Sequence, residues 1–161
     1  MNLTLIPAEE TDLPELLALC HRAARAAEDS HWSEDYPNAA ILWEDYEQGH
    51  LLRIENEAGE TLGLIAVHET GEDEFRWPEP YDSAWELSRL ALEPKRQDRG
   101  LGTAAFRCAL DWCRKRGCKA ARLLVSRDYD RAIHIYEKEG FARLGEGSAW
   151  GEDFYLYGKR L

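Results

Sequence analysis

The chain has 161 residues, of which 44% are hydrophobic and 11% aromatic, and it carries a formal net charge of −11. That length suffices to bury a core within one domain over 1–161, the aromatic content excludes a disordered chain, and the acidic balance excludes nucleic acid, whose phosphates demand a basic face. No run of about 18 apolar residues offers a membrane span, and MNLTLIPAEE lacks a basic segment ahead of an apolar one, so the expected location is cytoplasmic.

Residues 2–6 alternate apolar and polar side chains and predict a first strand. Thr11 or Asp12 can then cap a helix with Pro14 in its first turn, whose apolar positions Leu13, Leu16, Leu17, Cys20 and Ala24 recur at helical spacing to about residue 28. The segment DSHWSEDYPN is a polar and aromatic loop. Asn38 is placed to cap a shorter helix through Ile41, Leu42 and Tyr46, stopped by Gly49. The next twenty residues predict a hairpin about a turn at 57–60, and TGEDEFRWPEPYDS is again a loop.

AWELSRLALEP has the composition of a strand closed by Pro94. A helix is predicted over 101–116 with Leu101, Ala105, Cys108 and Trp112 on one face, cations in its last turn and Gly117 past its end. KAARLLVS predicts a strand and DRAIHIYEKEG a helix ended by Gly140. One or two strands follow, one of them around 154–157. The four cysteines form no C-x-x-C pair and no zinc spacing, so they are expected to be reduced packing residues, with no metal.

The feature that asks for a function is KRQDRGLGTAAF, 95–106, a basic and glycine-punctuated turn at the mouth of a helix in an acidic chain. The first amides of a helix have no partner inside it, its dipole is positive there, and glycine lets backbone approach a ligand. Such a turn cradles an anion, and it equally serves as an ordinary tight helix entry. GLGTAA formally fits the dinucleotide fingerprint G-x-G-x-x-A, but the following strand ends in Ser126 without the acid that fingerprint requires, which disfavours a nucleotide-dependent oxidoreductase. The nucleoside-triphosphate loop pattern G-x-x-x-x-G-K-[ST] is absent.

QDRGLG, 97–102, resembles the Q/R-x-x-G-x-G/A motif of the GNAT superfamily of N-acetyltransferases. LSRLALEP before it is similar to that family's central strand, and RAIHIYEKEGF after it to a second signature. The resemblance implies a mixed α/β single-domain fold, with a mostly antiparallel sheet, a splayed central strand and about four flanking helices. It implies acetyl-CoA as donor: Leu90, Ala91 and Leu92 would pair their backbone with the pantetheine arm, and Gln97, Asp98, Arg99, Gly100, Leu101, Gly102 and Thr103 would hold the pyrophosphate. It implies that Tyr136 donates a proton to the departing thiolate. Tyr136 shares a helix face with Ala132 and Ile133, so a packing role is also open. Tyr129 departs from the family, standing where many members carry asparagine.

Transfer to an amine requires the neutral amine, hence a base or a water relay near neutral pH. Glu86, eleven residues before Gln97, matches a catalytic glutamate of one branch of the family and is the expected base, with His31, Asp82 and Tyr129 in reserve. The loops that usually build the acceptor site contribute Trp32, Tyr36, Trp77 and Tyr81, with acids beside them, which suits a cationic amine. The expected activity is therefore direct acetyl transfer to a small-molecule or peptide amine in a ternary complex. The expected partners include neither nucleic acid nor membrane, and the chain is compatible with a homodimer. The alternative is a non-catalytic acyl-CoA-binding or sensing module, which would keep the turn and dispense with Glu86 and Tyr136.

Overall fold

The structure, a computed structural model, describes residues 2–27, 32–69 and 74–161, with backbone only for 97–99. The first strand, Thr4–Pro7 (β1), leads into helix Leu13–Ala26 (α1). The expected cap of α1 takes a different form: a 3-10 turn precedes the helix, and Asp12 reaches backward, its Oδ2 accepting from the Glu9 amide at 2.8 Å. Helix Ala39–Glu47 (α2) is capped as its sequence predicts, with Asn38 Oδ1 accepting from the Ile41 amide at 3.0 Å. Strands Leu51–Glu55 (β2) and Thr61–His68 (β3) form the predicted hairpin. Its turn is organised by Asn56, whose Oδ1 accepts from the amides of Ala58 and Glu60 at 3.0 and 2.9 Å.

Trp85–Leu92 (β4), Leu101–Lys115 (α3), Ala120–Ser126 (β5), Asp130–Lys138 (α4), Ala142–Ala149 (β6) and Glu152–Arg160 (β7) complete the chain. The sheet order is β1-β2-β3-β4-β5-β7-β6, and every neighbouring pair is antiparallel except β4 and β5. Among the described residues no helix is long and apolar enough to cross a membrane.

Two cores lie on opposite faces of the sheet. One gathers Leu101, Ala105, Phe106, Ala109, Leu110 and Cys113 of α3 with Ala132 and Ile133 of α4. The other gathers Leu16, Leu19 and Cys20 of α1 with Leu42 of α2. The buried stripe of α3 thus runs through Phe106 and Leu110. Cys108 and Trp112, expected on that face, lie at its rim. Burial pushes the thiols of Cys20 and Cys113 up to about 12, which keeps them protonated and suits packing.

The parallel ladder between β4 and β5 consists of two pairs, Trp85 with Ala121 and Glu86 with Arg122, and stops there. Its other neighbour, β3, stays paired to β4 up to Leu92, with a bulge where Ile65 faces both Arg89 and Leu90. Arg89 has φ 53°, in the left-handed region where a side chain costs about 1–2 kcal/mol. A bulge bends the strand that carries it. It falls within the segment Leu87–Leu92, which is paired to β3 but no longer to β5 and forms one wall of a wedge between β4 and β5.

Gly63 on β3 sits against this same segment. A Cβ there would fall inside contact distance of the Ala91 carbonyl and 2.8 Å from Leu92 Cδ2. We expect Gly63→Ala to lose about 2 kcal/mol of unfolding free energy in urea titration, because a backbone carbonyl within a paired strand cannot move aside.

Candidate active site

The C-terminal end of β4 runs into the basic turn. Pro94–Arg99 form a 3-10 turn, Gly100 adopts φ 73°, and α3 begins at Leu101. The Gly100 carbonyl accepts from the Ala104 amide at 3.1 Å, so the amides of Leu101, Gly102 and Thr103 precede the first bond of the helix. Glycine is required at 100 by its dihedral. At 102 the reason is packing rather than ligand approach, since a Cβ there would meet Ile135 Cδ1 of α4 at 3.1 Å. The side chain of Leu101 is wholly buried, so only its backbone can face a ligand. The side chains of Gln97, Asp98 and Arg99 lie outside the described part of the structure.

Leu90 and Leu92 point to the α3–α4 face and Ala91 to the α1–α2 face, so between them they line the wedge with backbone. Tyr136 lies on the α3–α4 face, its ring centroid 4.9 Å from that of Phe106 and 6.4 Å from that of Phe141. Burial raises its phenol above the ordinary value, and the neighbouring Tyr129 adds to the effect, so the hydroxyl stays protonated.

Glu86 points to the other face of the sheet, so the two expected catalytic side chains are not brought together. Glu86 is 8% exposed, and its Oε1 accepts from Nε of Arg122, itself 2% exposed, at 2.9 Å. Glu86 thus pairs with a buried guanidinium at the end of β4 that is joined to β5.

Trp77 and Tyr81 lie around Arg122. Trp77 is 8% exposed and its ring lies 4.5 Å from the Arg122 guanidinium carbon. The Tyr81 carbonyl accepts from Arg122 Nη1 at 2.9 Å, and its ring covers Gly158. Asp82, a reserve base, is exposed in the 3-10 turn before β4, at the end away from the wedge. His31 lies outside the described residues. Trp32 and Tyr36 do flank the wedge side: their rings meet edge to face at 6.3 Å, and Tyr36 is 42% exposed.

The residues that reading the sequence missed are Arg89, Asp45 and His68. Both Nε and Nη2 of Arg89 donate to the carboxylate of Asp45, at 2.6 and 2.7 Å, and Nη2 also faces His68 Nε2 at 3.0 Å. Ser88 Oγ lies 3.1 Å from the same nitrogen. Asp45 is 4% exposed and projects from the buried stripe of α2, three residues after Leu42. An aspartate on an apolar stripe was the available signal. Burial works to lower the guanidinium's pKa, but the hydrogen bonds and charge of Asp45 outweigh it and hold Arg89 firmly charged.

His68 responds the opposite way. Burial first, then the Arg89 charge, push its imidazole from 6.5 down to about 4. It is neutral at neutral pH and accepts from Arg89. Asp45, His50 and His68 place ligand atoms within 4.8 Å of one another, a spacing a metal ion could use. Both oxygens of Asp45 and Nε2 of His68 are already occupied by the guanidinium, so the resident cation is Arg89 itself.

The chain matches the acetyltransferase (GNAT) family over residues 12–141. It belongs to that family. Among curated relatives, the mycothiol acetyltransferase of Rhodococcus jostii (strain RHA1) is 30% identical over 157 residues, covering 86% of this chain and 51% of that protein. This chain spans about half the length of the curated relatives it matches. Among solved structures, a GNAT-family acetyltransferase from Streptococcus agalactiae 2603 superposes with TM-score 0.83 at 19% identity, over 99% of this chain and 95% of that one. Spermidine N-acetyltransferase from Vibrio cholerae, in complex with CoA and spermine, gives 0.71 at 20% identity, over 98% and 95%. At these identities the structural likeness establishes the fold.

Two expectations follow from the buried pair. Asp45→Asn strands a buried guanidinium and should cost about 3 kcal/mol in urea unfolding. Adding Arg89→Gly should recover part of that loss, because it removes the stranded charge and suits φ 53°. For His68 the sign follows from its lowered pKa. The unfolded chain takes up a proton near 6.5 that the folded chain resists down to about 4, so His68 causes stability to fall as pH drops through that window. His68→Gln should flatten this acid limb by about 2 kcal/mol, read as unfolding free energy at pH 7 and pH 4.5.

Proposed function

We propose that this chain carries an acetyl-CoA-dependent N-acetyltransferase acting on a small-molecule amine. The observation that carries the reading is the continuous run of backbone from the wedge to the helix mouth. The β4–β5 ladder stops after two pairs, and β4 then continues to a left-handed Gly100 and the first amides of α3. An extended amide-bearing chain adds to an open strand edge as a further strand, and a pyrophosphate sits on helix N-terminal amides. Leu90, Ala91 and Leu92 hold the pantetheine arm, and 97–103 hold the pyrophosphate. Both are parts of one donor, coenzyme A.

With the donor so held, the thioester would lie beside β4 beyond its last pair with β5. The amine nitrogen attacks the thioester carbon, the new C–N bond forms, and the C–S bond breaks with its electron pair on sulfur. Tyr136, held protonated, donates a hydrogen bond to that sulfur. A phenol whose pKa lies above that of a thiol is a weak proton donor, so its part is to stabilise the thiolate, which takes its proton in exchange with water. The proton of the amine passes to water at the open face, since Glu86 is engaged by Arg122 and His68 is too weak a base. The names of the relatives support acetyl transfer to a small amine.

The test is release of free thiol from acetyl-CoA on a panel of amines. We expect Tyr136→Phe to lower kcat about 100-fold, as removal of a donor to a developing anion does, with acetyl-CoA affinity unchanged in calorimetry. Glu86→Gln should lower the melting temperature and leave the pH–rate profile parallel to wild type. Binding of acetyl-CoA with no amine-dependent thiol release would show that the chain holds the donor without transferring its acetyl group to an amine.

A further inference from the structure

The cluster around Arg89 has one edge that the protein does not use. Asp45 takes Nε and one N–H of Nη2, and His68 faces the other. Nη1 carries two further N–H groups, and among the described residues its partner is Tyr36 Oη at 3.4 Å, the weak end of hydrogen bonding. Tyr36 accepts in that contact, so its own proton remains to be given. Two donors therefore converge with protons unspent. One belongs to a guanidinium whose side chain is 13% exposed, the other to a ring 42% exposed at the wall of the wedge.

Position makes this edge relevant to transfer. Arg89 is the bulge residue itself, immediately before Leu90, and its side chain leaves the sheet on the α1–α2 face beside Ser88. Asp45 fixes the guanidinium on two atoms and compensates its charge, so the donor edge is held in place without a ligand. A guanidinium is planar and always charged and matches carboxylate geometry. An ammonium brought to the same spot would meet like charge. Of the aromatics that favoured a cationic pocket, Trp77 lies away from this edge, closed over Arg122.

We infer that the amine acceptor carries a carboxylate close to its reacting nitrogen, and that Arg89 Nη1 and Tyr36 Oη form the subsite that holds it. This rests on the acetyltransferase reading above and adds the substrate class: a free amino acid or a short peptide whose terminal carboxylate lies near its amine. A polyamine is the wrong chemistry for this edge.

The experiment compares matched pairs: L-amino acids and glycyl dipeptides against their C-terminal amides, with spermidine as the carboxylate-free amine. Thiol release from acetyl-CoA is followed for wild type and Tyr36→Phe, and acetyl-CoA binding is measured separately by calorimetry. We expect the acids to exceed their amides about tenfold or more in kcat/KM, worth about 1.4 kcal/mol. Tyr36→Phe should raise KM several-fold for the acids and less for their amides, the signature of lost ground-state binding. A double variant, Asp45→Asn with Arg89→Gln, removes the guanidinium without stranding a charge and should abolish the preference. Equal use of acid and amide, or thiol release only with amides or spermidine, overturns the carboxylate subsite while acetyl transfer stands. Binding of acetyl-CoA with no thiol release from any amine overturns both the subsite and catalysis. Failure to bind acetyl-CoA overturns the donor reading and this inference with it.

Discussion

The hydrogen-bonded ion pair between Arg89 and Asp45 is the constraint on which the rest of this structure turns. Arg89 occupies a left-handed backbone position within a strand, which a side chain adopts only at a cost. Two short hydrogen bonds to an aspartate buried on α2 offset that cost and tie the helix to the sheet at the bulge. The ladder of β4 with β5 ends at Glu86, a few residues before this bulge, while β4 stays paired to β3 as far as Leu92.

A second buried pair closes the other end. Glu86 and Arg122 are cross-strand partners in the short parallel ladder, and Trp77 and the Tyr81 carbonyl complete the guanidinium's surroundings. The two arginines have different uses. Arg122 pairs with Glu86 across the ladder and donates to the Tyr81 carbonyl where the strands meet. Arg89 is satisfied on two edges and offers the third.

The order of elements was legible because local rules agree with the tertiary structure. Asn38 caps α2, Gly49, Gly117 and Gly140 end their helices in left-handed conformation, and strand and helix periods separate cleanly. The glycine turn was legible too, since its geometry is written in consecutive residues. Departures came where a side chain had a choice of partners. Asp12 capped backward to Glu9, and the buried stripe of α3 ran through Phe106 and Leu110 in place of Cys108 and Trp112.

By itself, the sequence determined the family, the strand–turn–helix with its glycine turn, and the tyrosine on α4, because each is encoded within a few neighbouring residues. Only the tertiary structure decided how the buried charges pair. Asp45 and Arg89 are 44 residues apart, and Glu86 and Arg122 are 36 apart. Their pairing depends on which face of the sheet each strand position takes, and a single bulge residue moves Arg89 onto the α1–α2 face beside Ser88. Period-two alternation read along β4 alone cannot register that extra residue. The partner of each charge, and so its chemistry, was fixed by packing across the sheet.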